Sequence, residues 1–279
     1  MNAPRVTGPA HRRTLPAVWR HGMKVASVAR EIPEEAPLAL TFHRETYAVM
    51  MGTPADLEDF AVGFALTEGI VADAGEIAAL EVLEHGQGIE LRMELAAPRL
   101  AALTRRRRRL AGPTGCGLCG LDSLAEAVRQ PPAVPAGGDV TADAIASALR
   151  AMEPLQRLNA MTHAVHAAAF WTAARGIVAL REDVGRHNAL DKLAGALARG
   201  GQRAADGMVL LSSRVSIEMV QKAAMIGAPV LVAVSAPTAH AVRLAEAAGM
   251  TLVAVARRDG FEVFCGAERI MTEARAHVA

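Results

Sequence analysis

The chain has 279 residues, 52% of them apolar, with 30 basic side chains against 29 acidic ones. A chain of this length and apolar content buries one large core or two smaller ones, which excludes disorder. A formal net charge of +1 gives no global field for a polyanion, aromatics at 3% argue against single-strand nucleic-acid stacking, and no run of about 18 apolar residues offers a membrane span.

Residues 1–15, rich in Pro, Arg and Gly, read as a flexible arm. Arg12, Arg13 and the nearby prolines stand where a secretory segment would carry its apolar core, so the chain reads as cytoplasmic. Residues 16–130 read as a smaller N-terminal α+β domain. Within it, β-leaning runs at 24–30 and 37–42, then Tyr47 to Met51 after the polar turn His43-Arg44-Glu45, predict a small sheet. Thr53-Pro54 predicts a helix start with proline at the first position. Leu57, Phe60, Ala61, Phe64 and Ala65 mark that helix's apolar face, and Gly69 stops it. Residues 79–95 alternate about Glu84-His85-Gly86-Gln87-Gly88 and predict a hairpin.

From Leu103 to Gly120 the periodicity dissolves into a loop that runs through Arg105 to Arg109 and then Thr114 to Gly120 (TGCGLCG). A helix is expected at Leu121 to Val128, with Ser123 and Glu126 in capping-box spacing, and residues 131–139 read as a linker. Residues 140–279 then alternate. Helices are expected to about Leu158 and at 187–198, 215–226 and 238–248, with strands near 164–170, 176–181, 207–212, 230–235 and 251–256. A final strand, 261–265, follows the Asp259-Gly260 turn. Strands apolar on both faces, separated by helices, predict an α/β domain: a mixed or parallel sheet covered on both sides.

Three cysteines make no disulfide framework, and Cys116 and Cys119 are spaced for chemistry or metal. Their glycine-rich loop lies after an arginine run and before a predicted helix start, and positive potential from both favours thiolate. A thiolate on such a loop can attack a persulfide or disulfide, with the second thiol resolving the product. The same CxxC also reads as half a zinc site that Cys265, His163 and His166 would complete, or as a thioredoxin-like motif. His43 and Glu45 upstream repeat the order of zinc deaminases, with Gly115 where that signature has proline. The loop formally spells GxGxxG, but arginines and a proline precede it where a dinucleotide fingerprint needs a strand.

Arg181 to Lys192 (REDVGRHNALDK) sits at a strand-to-helix junction, and reads as a ligand site or as a surface ion-pair network. Ser212-Ser213-Arg214 and Ser235-Ala236-Pro237-Thr238 repeat small hydroxyls at two further strand ends, where each also reads as a helix cap. Arg105 to Arg109 read as a solvated face or as a holder of phosphate or an acidic partner.

Together, TGCGLCG, REDVGRHNALDK, Leu211 to Ala223 (LSSRVSIEMVQKA) and Pro229 to Pro237 (PVLVAVSAP) resemble the formate dehydrogenase accessory protein family, FdhD/NarQ. The resemblance runs from Glu34 through Gly63 to Ile70 and on to Arg269. It implies a sulfurtransferase that takes persulfide sulfur from a cysteine desulfurase. The sulfur passes to the molybdenum cofactor, bis-molybdopterin guanine dinucleotide, destined for formate dehydrogenase. By position Cys116 is the persulfide-bearing residue and Cys119 its partner. The cofactor-binding segment falls on Val255-Ala256-Arg257-Arg258-Asp259-Gly260, and Ser213 stands where a glycine is expected. The C-terminal half is implied to have a cytidine deaminase-like core.

In this role Arg186, His187, Ser212, Arg214 and Ser235 would help hold the cofactor's guanine nucleotide, no structural metal is expected, and a homodimer is compatible. A non-catalytic cofactor chaperone and a zinc-binding, deaminase-like protein are the alternatives. Cys265, in a predicted strand, should be dispensable.

Overall fold

The structure, a computed structural model, describes residues 9–97, 99, 128–257 and 259–271. The expected arm contains a strand: β1 (His11–Thr14) pairs antiparallel with β4 (Arg30–Pro33). Between them β2 (Ala17–Arg20) and β3 (Met23–Ser27) form a separate hairpin. A four-stranded sheet follows, ordered β6-β5-β8-β7, from β5 (Ala36–Phe42), β6 (Glu45–Gly52), β7 (Ile77–His85) and β8 (Gly88–Leu95). Every second residue of β5 and β8 (Leu38, Leu40, Phe42; Ile89, Leu91, Met93) is buried on one face, which α1 (Leu57–Thr67) covers with Phe60, Ala61, Phe64 and Ala65.

His43 and Arg44 both take left-handed backbone (φ 51° and 64°), as a two-residue turn between β5 and β6 demands. His43 is built into that turn. Its Nε2 accepts from the Leu95 amide at 3.0 Å and its Nδ1 lies 2.5 Å from Glu94.

The C-terminal sheet has six strands ordered β11-β10-β12-β13-β14-β15. They are β10 (His166–Thr172), β11 (Gly176–Asp183), β12 (Met208–Leu211), β13 (Val230–Ala233), β14 (Thr251–Arg257) and β15 (Gly260–Cys265). The β12, β13 and β14 strands are mutually parallel and the remaining pairings are antiparallel. Successive residues face alternate cores: Val209, Leu211, Leu231 and Ala233 one, Met208, Leu210, Val230 and Val232 the other. The first core is covered by α4 (Arg186–Arg199), α5 (Ile217–Met225) and α6 (Ala239–Ala247), the second by α2 (Ala142–Met152). This is the mixed α/β sheet with helices on both faces expected from the alternation.

Two expected boundaries moved. The helix read as running to Leu158 ends at Met152 and gives way to a 3-10 turn and then α3 (Arg157–Thr162). Pro154 has no N–H to continue the helical ladder, and Gln156 leaves helical backbone (φ −78°, ψ 72°). Thr53-Pro54 does not begin α1, which starts at Leu57, because Thr53 is fully buried and bonded into the C-terminal half. Residues 131–139 carry no regular element but are strapped down: the Val134 amide donates to Ala248 O at 2.9 Å, and Gly137 abuts Pro229. β9 (Val140–Thr141) then pairs with β16 (Ile270–Met271).

The halves meet where α1 crosses α4. A Cβ on Gly63 would lie 1.7 Å from Asp191 O, and one on Gly195 would lie 1.9 Å from Asp59 O. Only glycine permits this backbone approach.

Candidate functional site

The string from Arg181 to Lys192 folds into the end of β11, a turn and the start of α4. Most of it forms a buried joint rather than a surface network. Asp183 is fully buried and accepts from the amides of Thr53 (3.0 Å) and Gly185 (2.8 Å) and from Asn188 Nδ2 (3.0 Å). It pairs with Lys192 Nζ at 2.6 Å, and that ammonium also donates to Thr53 O. Asn188 donates to Met51 O. One turn further, Asp191 accepts from Thr67 Oγ1 at 2.6 Å and pairs with Lys222, which also meets Glu68. Burial pulls Lys222 down, but Asp191 and Glu68 outweigh it and hold the ammonium above its usual range. At the rim Arg181 and Arg199 both grip Asp59 at 2.6 Å. Glu182 accepts from the amides of Leu158 and Asn159, the first turn of α3.

Arg186 and His187 of this string are not drawn into the joint. They lie at the edge where the parallel strands β12, β13 and β14 end, the usual ligand edge of an α/β sheet. A cavity of about 370 Å3 opens on the α2 side of this edge. Ser212, Val234, Ala256 and Arg257 line it from the strand ends, and Arg150, Gln156 and Asn159 line it from the helices. Ala256 faces this side because Val255 takes left-handed backbone, φ 51°, at a bulge in β14. Ala254 belongs to the opposite core, so the bulge absorbs one residue and returns Ala256 and Arg257 to the cavity. A β-branched residue rarely adopts this conformation, and such strain collects at functional positions.

Each expected residue now has a place. Ser212, Ala256 and Arg257 line the cavity, while Ser212 Oγ also accepts from the Ala167 amide at 2.8 Å and Arg257 bridges to Val234 O. Val255 forms the bulge, its amide donating to Ser235 O at 3.2 Å. Asp259 and Gly260 sit in the β14–β15 turn, away from the cavity lining. Arg186, His187 and Arg214 gather on the α4–α5 side with His166, the electrostatic neighbour of both arginines. Ser213 is buried without left-handed backbone, so no glycine is required there. Thr238 caps α6 through Ala241, as the helix-cap reading holds. Cys116, Cys119, Arg105 to Arg109 and Arg258 lie outside the described residues.

The inward residues of α2 and α3 were missed in the sequence. Arg150, Glu153, Gln156 and Asn159 recur every third position as a polar stripe, which was the available signal. Cys265 is half-buried with its Sγ 3.2 Å from Met250 O, and burial pushes its thiol up, away from thiolate. Among the described residues no three His, Cys, Asp or Glu groups converge as for a metal, and no helix is long and apolar enough to cross a membrane.

Comparison with known proteins adds an independent observation. The model of the FdhD/NarQ family matches residues 33–271. The chain is 49% identical to the sulfur carrier protein FdhD of Agrobacterium fabrum, over 94% of this chain and 97% of that one. It is 48% identical to the protein of the same name from Cupriavidus necator, over 95% and 92%. A crystal structure from Desulfotalea psychrophila, provisionally named a formate dehydrogenase accessory protein, superposes with a TM-score of 0.75 at 27% identity. That match covers 94% of this chain and all of that one.

Proposed function

The chain belongs to the FdhD/NarQ family, and from that premise we propose that it is a sulfur carrier for formate dehydrogenase maturation. Cys116 accepts sulfur from a cysteine desulfurase and passes it to bis-molybdopterin guanine dinucleotide, held as cargo. In the loading step the Cys116 thiolate attacks the outer sulfur of the donor's persulfide. A new S–S bond forms on Cys116, the donor's S–S bond breaks, and the donor cysteine leaves as thiolate, with no net change in oxidation state. Cys119 assists release. In this reading the six-stranded sheet is the cytidine deaminase-like core.

The observation that carries the cargo role is the cavity at the strand ends, framed by the Val255 bulge and lined by Ala256 and Arg257. Its volume is at the low end for small-molecule sites, so it accommodates one nucleoside-sized part of a larger ligand. Asn159, Gln156 and Arg150 offer donors and acceptors for a base edge, and Arg257 a guanidinium. The chain that bears the thiols returns at Arg129, whose carbonyl accepts from Gln221 of α5 at 2.8 Å, one turn beyond Glu218 and its partner His187. Nine residues lie between Cys119 and Arg129 in the sequence.

Incubation with a cysteine desulfurase and cysteine should add sulfur, seen by intact mass, to the native chain and to Cys265→Ala but not to Cys116→Ala. Loading that survives in Cys116→Ala and vanishes in Cys119→Ala would exchange their roles. Unaltered dehydrogenase maturation by Cys116→Ala would favour the non-catalytic chaperone.

A further inference from the structure

From Pro9 to Glu35 no residue is buried, although this stretch carries the strands β1 to β4. The β1–β4 pair ends at Thr14 opposite Arg30 and the β2–β3 pair begins at Ala17 opposite Ser27, so the four strands make one two-stranded ribbon. It closes at His21 and Gly22, which both take left-handed backbone (φ 50° and 80°). The root is held: β4 lies against α3, and the Glu34 amide donates to Ala10 O at 2.8 Å. Beyond the root, a two-stranded ribbon with no third strand and no covering helix is marginal in water.

The ribbon's surface is both apolar and cationic. Leu15, Trp19, Met23, Val25 and Val28 are each more than half exposed, and large apolar side chains gathered in water mark a surface made for contact. Between His11 and Arg30 the chain has five Arg and Lys side chains and no acid. Arg12 pairs with Glu34, whereas Arg13, Arg20, Lys24 and Arg30 have no ion pair among the described residues. In a chain of net charge +1 this is a local concentration of positive charge that complements an acidic surface. Register mixes the two kinds on both faces: Trp19 stands opposite Lys24, and Arg20, on the other face, stands opposite Met23. A lipid surface takes up one apolar face, while a protein cleft takes up both.

The ribbon also springs from the wall of the cavity. Gln156 and Asn159 line the cavity, while Leu155, Leu158 and Met161 line, with Ala10 and His11, a second hollow of about 530 Å3 at the ribbon's root. A protein held by the ribbon therefore sits beside the cargo.

We propose that residues 11–33 are a docking arm for an acidic face of the protein that receives the cargo, which in the sulfur-carrier reading above is the formate dehydrogenase apoprotein. The arm rests on that reading for its partner. Trp19 and Met23 anchor the contact, and Arg13, Arg20, Lys24 and Arg30 meet carboxylates on the partner's surface. Residues 11–32 precede the stretch that the family model matches.

Binding of the full chain to purified formate dehydrogenase apoprotein, followed by interferometry, tests the arm. Expected is saturable binding that weakens as salt is raised, and that falls by about tenfold or more in Trp19→Ser and in the double variant Arg20→Glu, Lys24→Glu. All three residues are exposed, so both variants should keep the native urea midpoint, GDP affinity and cysteine-dependent sulfur loading of Cys116. No binding by the native chain, or equal affinity in native and variant chains, would overturn the arm. Loss of a dimer in the two variants, seen by sedimentation velocity with apoprotein binding unchanged, would make the occupant a second copy and overturn it too. Arm-dependent binding to phosphatidylglycerol vesicles with none to the apoprotein would do the same in favour of a lipid surface. Absence of sulfur loading in the native chain would instead fell the sulfur-carrier reading, so the two can fail separately.

Discussion

Two regions of this molecule use the same residue types to opposite ends. At the joint between α1 and α4 each buried charge has a partner: Asp183 with Lys192, Asp191 with Lys222, Asp59 with Arg181 and Arg199. At the carboxyl edge of the large sheet, Arg186 of the same string and Arg214 in the loop after β12 have no ion pair among the described residues. Matched buried charge locks two halves into one arrangement. Distance along the chain does not tell the two apart.

The largest expected effect is at the joint. Lys192→Met removes the cation paired with the fully buried Asp183, and should lower stability by about 3–5 kcal/mol, read from the urea midpoint. A midpoint within error of the native chain would dissolve the contrast between the two regions. At the cavity the outcome should invert: Asn159→Ala should leave the urea midpoint within about 0.5 kcal/mol of native while weakening GDP by about 1–2 kcal/mol. A stability loss comparable to that of Lys192→Met would make Asn159 part of the frame.

Val255 sharpens the contrast from the backbone side. Left-handed conformation costs a β-branched residue about 1–3 kcal/mol, and glycine returns about 0.5–1 kcal/mol of that in chain entropy. Val255→Gly should therefore gain roughly 1 kcal/mol in a thermal melt while loosening the approach of Ala256 and Arg257 to the cavity. Destabilisation would mean that the valine side chain contributes more than the strain. The smallest effect is at the N-terminal sheet. There Glu90, held down to about 2 chiefly by Arg92 against the pull of burial, also accepts from Thr41 and His85. A depressed carboxylate stabilises above its unfolded value and loses that contribution as pH falls through its folded one. The native midpoint should thus decline between about pH 4.5 and 2, and Glu90→Gln should flatten that decline.

Periodicity alone revealed the two apolar faces of β12 and β13, the apolar face of α1 and the hairpin closed at His85 and Gly88, because each follows from local repeat. The start of α1 was misread at Thr53 because that residue's hydroxyl and backbone bond to Val184, Asp183 and Lys192, partners more than a hundred residues away. The cavity was half legible. Ser212, Ala256 and Arg257 announced themselves at strand ends, while Arg150, Gln156 and Asn159 looked like the ordinary polar side of a helix until α2 and α3 were laid over the sheet.

The sequence by itself determined the alternation of strand and helix, the family resemblance and the thiol pair, all of which are carried by residues close together in the chain. Only the tertiary structure decided which half of the Arg181 to Lys192 string is buried and which faces the sheet edge. Burial and charge compensation depend on what the other half of the molecule brings: here Thr53, Thr67 and Glu68 for the joint, and no carboxylate for Arg186.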